Sequence, residues 1–213
     1  MQQRPTFLQT AMQMAPVVTV TIGINLVVFL LWQLAPGSRG VAEVMVGNFL
    51  TSWDLLISGR AWTILTSAYS HMDLMHLLVN MFMLWSFGIG LERVWGRQRF
   101  LTLYLVCAVA GSLAHCVTVA WLLDMPGRGA LGASGAVCGV VMASALQFPK
   151  SRVLVFGILP APALAFVLVM VGFDIWGLIN QTRGHVVGIG HAAHLGGGLA
   201  GALIFRAYTR PRR

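Results

Sequence analysis

The sequence predicts an all-α membrane protein, a bundle of six transmembrane helices with both termini cytoplasmic. Three observations carry that expectation. Of 213 residues, 57% are hydrophobic and only 9% are charged, with a mean hydropathy of +0.79, whereas a soluble domain devotes about a quarter of its positions to charge. Apolar runs bounded by charge or by Gly and Pro recur along the chain, and about 20 such residues suffice to cross a bilayer. The basic residues gather on one set of turns and at both ends, so the formal charge of +8 reads as topology and not as an interface for nucleic acid. The partner this composition implies is the lipid bilayer, and it excludes disorder and a disulfide scaffold. Cys107, Cys116 and Cys138 all fall in apolar stretches, where a free thiol behaves as a small hydrophobe.

Residues 1–213 read as a single membrane domain. A short N-terminal tail, 1–15, precedes the first span at 16–35, which is too long for the apolar core of a signal peptide and lacks an Ala-x-Ala cleavage site. A large outer loop, 37–70, follows; Trp53, Leu55, Leu56, Ile57 and Trp62 predict helical pieces in it, lying in the interface. The second and third spans, 72–90 and 100–123, are joined by a turn carrying Arg93, Arg97 and Arg99. The loop 124–131 is expected to dip into the protein, because the fourth span, 133–148, is short for a full crossing. Lys150 and Arg152 lead into the fifth span, 153–177. The loop 178–190, with Gly184 and Gly188 as hinges, is the expected lid. The sixth span, 189–207, ends in a short basic tail, 208–213. On the opposite turns, Arg39, Arg60, Arg128 and Arg183 are offset by Glu43, Asp54, Asp73 and Asp124. No fixed-period repeat or inverted duplication of motifs occurs, which argues against a transporter built from paired repeats.

Ionisable and strongly polar side chains inside spans are costly, so each needs a partner or a task. Three clusters stand out. His71-Met-Asp-Leu-Met-His76-Leu-Leu-Val-Asn80 places His76 and Asn80 four apart, on one face of the second span. Gly132-Ala-Ser134-Gly135 opens the fourth span, and Gly190-His191-Ala-Ala-His194-Leu-Gly196-Gly197-Gly198 opens the sixth. The plain alternatives are a polar seam between helices for His76 and Asn80, and close packing of small residues around Ser134. Spans two, four and six all enter from outside, so the topology puts His76, Asn80, Ser134 and His194 at similar depth. A hydroxyl beside an imidazole is the basis of a nucleophile, and two donors at the same level suit an oxyanion. Asp73 and Asp124 lie in outer turns and Asp174 in span five, and none has a spacing that marks it as an orienting acid, so a Ser–His dyad is the economical expectation.

In these motifs, and over the stretch from Trp62 to Arg206, the sequence resembles the rhomboid family of intramembrane serine proteases. The likeness rests on His71-x-x-x-x-His76-x-x-x-Asn80, on Gly132-x-Ser134-Gly135 and on Gly190-His191-x-x-His194-Leu-Gly-Gly, in order and on alternate spans. The resemblance implies a rhomboid-like six-helix bundle with Ser134 as nucleophile and His194 as general base. It implies an oxyanion hole of His76, Asn80 and the Ser134 backbone N–H, with His71, Gly132, Gly135, Cys138, His191 and Gly197 in support. It implies neither cofactor nor metal, and it reads Glu92 as a structural tie. Two positions depart from the family pattern. Trp62-Thr63 stands where many members have Trp-Arg, with Arg60 nearby. Cys138 stands where an aromatic ring often braces the catalytic imidazole, leaving His194 to be held more loosely or by another group.

The implied function is an intramembrane serine endopeptidase that cleaves transmembrane segments of single-span or multi-span membrane proteins near the outer face, through an acyl-enzyme. The chain reads as a minimal six-span core, with a bacterial inner (cell) membrane as its expected location. The alternatives are an inactive rhomboid-like protein that binds membrane clients, against which stand Ser134 and His194, and a transporter or channel, against which stands the lack of an acid midway along the pathway.

Overall fold

The computed structural model describes residues 6–155, 159–185 and 188–210. The architecture is an all-α membrane bundle with one small hairpin. A helix, α1 (Phe7–Met14), occupies what the sequence suggests is only a tail; a capping box starts it, with Thr6 and Gln9 each accepting the other's backbone N–H. Pro16, which has no N–H to lose, opens α2 (Pro16–Leu34). The long outer loop is helical, as expected, in three pieces: α3 (Arg39–Phe49), α4 (Trp53–Ile57) and α5 (Thr63–Thr66). Ser38 and Ser52 cap the first two of them. Arg60, near the Trp62-Thr63 departure, donates to the carbonyl of Gly47 at 3.0 Å, and the Trp62 indole donates to Asn48 at 3.1 Å, so α3 and the α4–α5 turn are tied together.

Next come α6 (Leu74–Trp95), α7 (Arg97–Val117) and α8 (Ser134–Gln147). Asp73 caps α6 by accepting the N–H of His76 at 2.8 Å. Gly96, at φ +81, makes the turn into α7, where an L side chain would be strained. The end of the loop before α8 is tied to the outer loop: Thr51 and Ala130 exchange backbone hydrogen bonds of 2.9 and 2.8 Å, and Gly132 donates to the Ser67 carbonyl at 2.9 Å, while Asp124, Met125 and Gly127 stay exposed. The fifth expected span starts differently. Residues from 153 form a hairpin of β1 (Arg152–Val155) and β2 (Leu159–Pro162), and α9 (Ala163–Thr182) begins only after it. Pro160 and Pro162 explain the shift, because each would lose a helical hydrogen bond and clash with the turn before it. Since α9 runs to Thr182, the connection to α10 (His191–Thr209) is shorter than the expected lid, and residues 186–187 of it lie outside the described residues.

Helices thus form in all six expected stretches. Four of the described helical segments, Pro16–Gly37, Leu74–Trp95, Arg97–Leu122 and Ala163–Thr182, are long and apolar enough to cross a membrane. The other two are α8, a shorter apolar helix of 14 residues, and α10, which carries two histidines and four glycines. The apolar window of α7 is 44% buried and that of α9 only 22%, so α7 stands inside the bundle and α9 at its edge. Phe100, Leu103 and Tyr104 of α7, Leu84 and Leu91 of α6 and Val140 of α8 are fully buried in one core.

The centre is held by backbone contact. A Cβ added to Gly197 would run into the Gly135 carbonyl, and one added to Gly201 into the Gly139 carbonyl, so α10 lies directly on α8. The Ala193 carbonyl sits between Gly111 of α7 and Gly135 of α8, where added Cβ atoms would stand 2.9 and 3.2 Å from it. The Gly197-x-x-x-Gly201 pair therefore seats the sixth stretch against the fourth, the use expected of small residues between membrane helices. At the other end of α6, Glu92 is 2% exposed and accepts the N–H groups of Val17 and Val18, each at 2.9 Å. It caps α2, as a structural tie.

Gly197→Ala is expected to lower stability by about 2 kcal/mol or more, since a backbone carbonyl cannot give way. Gly172→Ala, in α9 where nothing lies within 4 Å, should be neutral or stabilising by up to about 1 kcal/mol through helix propensity. Thermal unfolding of both variants in detergent checks the contrast, and equal effects would refute the packing account.

Candidate active site

A cavity of about 850 Å³ opens at the level where α6, α8 and α10 begin, and Ser134, His194, His76, Asn80, Gly132, Gly135, Cys138 and His191 all line it. The structure therefore gathers most of the residues the sequence singles out. Ser134 is the first residue of α8, so its backbone N–H is among the donors that have no partner within the helix, at the positive end of the helix dipole. His194 is adjacent to Ala193 and Ser134 to Gly135, and those two neighbours are in backbone contact. The glycine packing of α10 on α8 thus brings the helix starts that carry Ser134 and His194 to one cavity wall. Among the described residues no hydrogen bond joins the Ser134 hydroxyl to His194, a looseness common in unliganded sites.

The second group lies against Gly132, in the turn before Ser134. Gly132, at φ +135, has the ring of His76 against it, with the Cε1 atom 2.6 Å from where a Cβ would be. The His71 and His76 rings meet edge to face at 4.8 Å. His71 is fully buried, outside the cavity lining, and its Nε2 accepts the Ala133 N–H at 3.4 Å. Burial, with His76 beside it, pushes its pKa down to about 3, so the ring stays neutral and keeps the lone pair that this bond needs. That bond ties His71 to the turn leading into α8. Asn80 is 4% exposed and donates one amide hydrogen to the His76 carbonyl at 2.8 Å, leaving its second hydrogen for the cavity. Gly197 stands apart from the lining, as part of the helix contact behind it.

The structure also brings in a residue that the dyad expectation left out. The Oδ1 of Asp174, on α9, accepts from Nδ1 of His191 at 2.7 Å and from Nδ1 of His194 at 2.9 Å. Asp174 is thus a group that holds His194, with Cys138 on the lining of the same cavity. The carboxylate fixes both imidazoles with hydrogen on Nδ1, which leaves Nε2 of His194 as an acceptor. Exposure separates the two rings: the side chain of His191 is 1% exposed, with its ring edge-on to Phe173 at 5.4 Å, while that of His194 is 19% exposed and faces the cavity. The sequence did hold a signal for Asp174. A lone carboxylate within a 20-residue apolar helix needs a partner, and only its distance in sequence from His194 hid which one. Hydroxyl, imidazole and carboxylate in this order can activate a nucleophile, and the polar walls supplied by Ser67, Ser112 and His115 suit water. Asp174, His191 and His194 are also the described residues with ligand atoms close enough, within 4.8 Å of one another, to hold a metal ion.

Comparison with known proteins identifies the family. Residues 58–211 match the sequence profile of the rhomboid domain. The chain is 32% identical over 201 residues to "RHOMBOID-like protein 12, mitochondrial" of Arabidopsis thaliana, covering 89% of this chain and 56% of that protein. It is 35% identical over 191 residues to "Rhomboid protein 1, mitochondrial" of Saccharomyces cerevisiae, covering 85% and 50%. Against the human "Presenilin-associated rhomboid-like protein, mitochondrial" it is 30% identical over 193 residues, covering 86% and 46%. The chain spans about half the length of these relatives. Their names are mitochondrial, and they lend no support to a bacterial inner membrane as the location. With the profile covering most of its length and the helices of a membrane bundle around the site, the chain is a multi-pass membrane protein that belongs to the rhomboid family, a family that is generally one of intramembrane serine proteases acting on membrane proteins.

Proposed function

We propose that this chain is an active serine endopeptidase that cleaves transmembrane segments near the face opposite its basic termini. The observation that carries the reading is the hydrogen bond from His194 to Asp174, on the wall of the cavity that also holds Ser134. His194 Nε2 takes the hydroxyl proton as Ser134 Oγ bonds to the scissile carbonyl carbon. The resulting oxyanion is met by the Ser134 backbone N–H, the free amide hydrogen of Asn80 and His76. His194 then gives its proton to the leaving amine, and the C–N bond breaks to leave an acyl-enzyme. Water, activated by the same imidazole, releases the acid and restores the serine. Asp174 holds the Nδ1–H of His194 throughout and stabilises the imidazolium formed in between, the part an orienting carboxylate plays in a triad. An inactive client-binding relative would have no use for this alignment.

The site lies at the start of helices that enter from the outer face, so the bond cut is in the outer part of the substrate's span. A helix unwound in lipid would leave backbone groups unsatisfied at several kcal/mol each. The unwound stretch therefore occupies the polar cavity, and segments with Gly or Pro just beyond the cut are preferred because they lose less on unwinding.

A fluorophosphonate probe is expected to label the purified protein on Ser134, and Ser134→Ala should lose both labelling and cleavage with unchanged thermal unfolding. Absence of labelling in the folded wild type would refute the reading. Among the imidazoles, His194→Ala should lose far more activity than His191→Ala. Asp174→Asn should lower kcat by on the order of 10² with little change in KM, since what it disturbs is the proton transfer. Mass spectrometry of products from a model single-span substrate should locate the cut in the outer third, and equal cutting of a poly-Leu span would contradict the unwinding argument.

A further inference from the structure

We propose that Asp174, His191 and His194 form a binding site for a Zn²⁺ ion that switches the catalytic imidazole off. The donor set is two imidazole nitrogens and one carboxylate, the mixture that zinc takes in three-ligand sites completed by a water. The three side chains already converge: Nδ1 of His191 and Nδ1 of His194 stand 2.7 and 2.9 Å from Asp174 Oδ1, and all three ligand atoms lie within 4.8 Å. Around a tetrahedral ion with bonds of about 2.0–2.1 Å, neighbouring ligand atoms lie about 3.3 Å apart. Each N···O contact therefore opens by about 0.5 Å to admit the metal, while the two imidazole nitrogens, within 4.8 Å of one another, draw in toward that same separation. Asp174 and His191 are held by burial, so little order remains to be imposed. All three residues line the cavity, which gives the ion a way in and its fourth position a water. Mg²⁺ and Ca²⁺, which require more oxygen ligands, do not fit this set.

The consequence follows from where the protons go. In the metal-free site each imidazole carries its hydrogen on Nδ1, donated to Asp174. Zn²⁺ takes the Nδ1 lone pairs, so those two hydrogens leave, and the neutral rings are reprotonated at Nε2 from cavity water with no net gain or loss of protons. The ion exchanges two N–H···O hydrogen bonds for two Zn–N bonds and one Zn–O bond. His194 Nε2, the acceptor that Ser134 requires, becomes an N–H donor, and the base is gone while the nucleophile is untouched. The ion is an inhibitor and not a cofactor. The inhibitory effect rests on the hydrolase reading above; the binding site does not.

The experiment uses the full chain in detergent with Co²⁺ as a visible stand-in for zinc. One Co²⁺ per chain should give the intense absorption of a tetrahedral site, displaced by Zn²⁺ at low micromolar concentration. His191→Ala and the isosteric Asp174→Asn should both lose that band. Zn²⁺ should slow fluorophosphonate labelling of Ser134 by about tenfold or more, with recovery on adding EDTA, and the residual labelling of His191→Ala should ignore zinc. Absence of the Co²⁺ band, or an equal band in both variants, would overturn the site. Binding without any effect of Zn²⁺ on labelling of an active protein would overturn the switch. A Co²⁺ band in a folded protein that never reacts with the probe would uphold the metal site and defeat the hydrolase reading instead.

Discussion

Everything at the site depends on how closely α10 lies on α8. Helices in lipid gain nothing from hiding apolar surface, so they associate by packing, and packing is densest where no side chain intervenes. Gly135 and Gly139 on one helix, with Gly197 and Gly201 on the other, bring backbone against backbone, and Gly111 of α7 closes the third side around the Ala193 carbonyl. Ser134 and His194 each follow or precede a residue in that contact. The placement of their backbones is set by main chain and not by flexible side chains, and a shift of one helix by a single methyl group would be passed directly to both residues.

The polar groups are organised by the same scarcity of partners. A carboxylate amid apolar helices is tolerable only when saturated with donors, and Asp174 has two imidazoles on one oxygen. His71 spends its single acceptor on the Ala133 N–H, and Asn80 spends one donor on its own helix. Each of these bonds restrains one side chain, so the polar groups around the cavity are held by the protein itself.

Much of this was legible in the sequence, and the reasons differ by residue. Ser134, His194, His76 and Asn80 stand out because polar side chains within apolar runs are rare and because alternate spans must share a depth. Glu92 is legible as a tie only through the family resemblance, since it lies just past the second expected span. Asp174 was visible but unassigned: helical periodicity relates residues within one span, and the bond to His194 joins two helices through a loop whose length imposes no register. The paired strands Arg152–Val155 and Leu159–Pro162 fall where the sequence predicts helix, because a short apolar run of Val and Leu suits either form and only Pro160 and Pro162 separate them. The helix at Phe7–Met14 was hidden because its signal is a capping pair, Thr6 and Gln9, in front of few residues.

The tie between α6 and α2 bears on where the protein's true edge lies. The family profile starts at residue 58, after α2 has ended. Yet Glu92, inside the profile, is buried against the amide groups of Val17 and Val18, outside it. Cutting the chain at the profile's border would strip a buried carboxylate of both its donors, a loss of the kind that costs several kcal/mol. The interactions that Glu92 needs therefore reach beyond the region that defines the family, back to the first turn of α2.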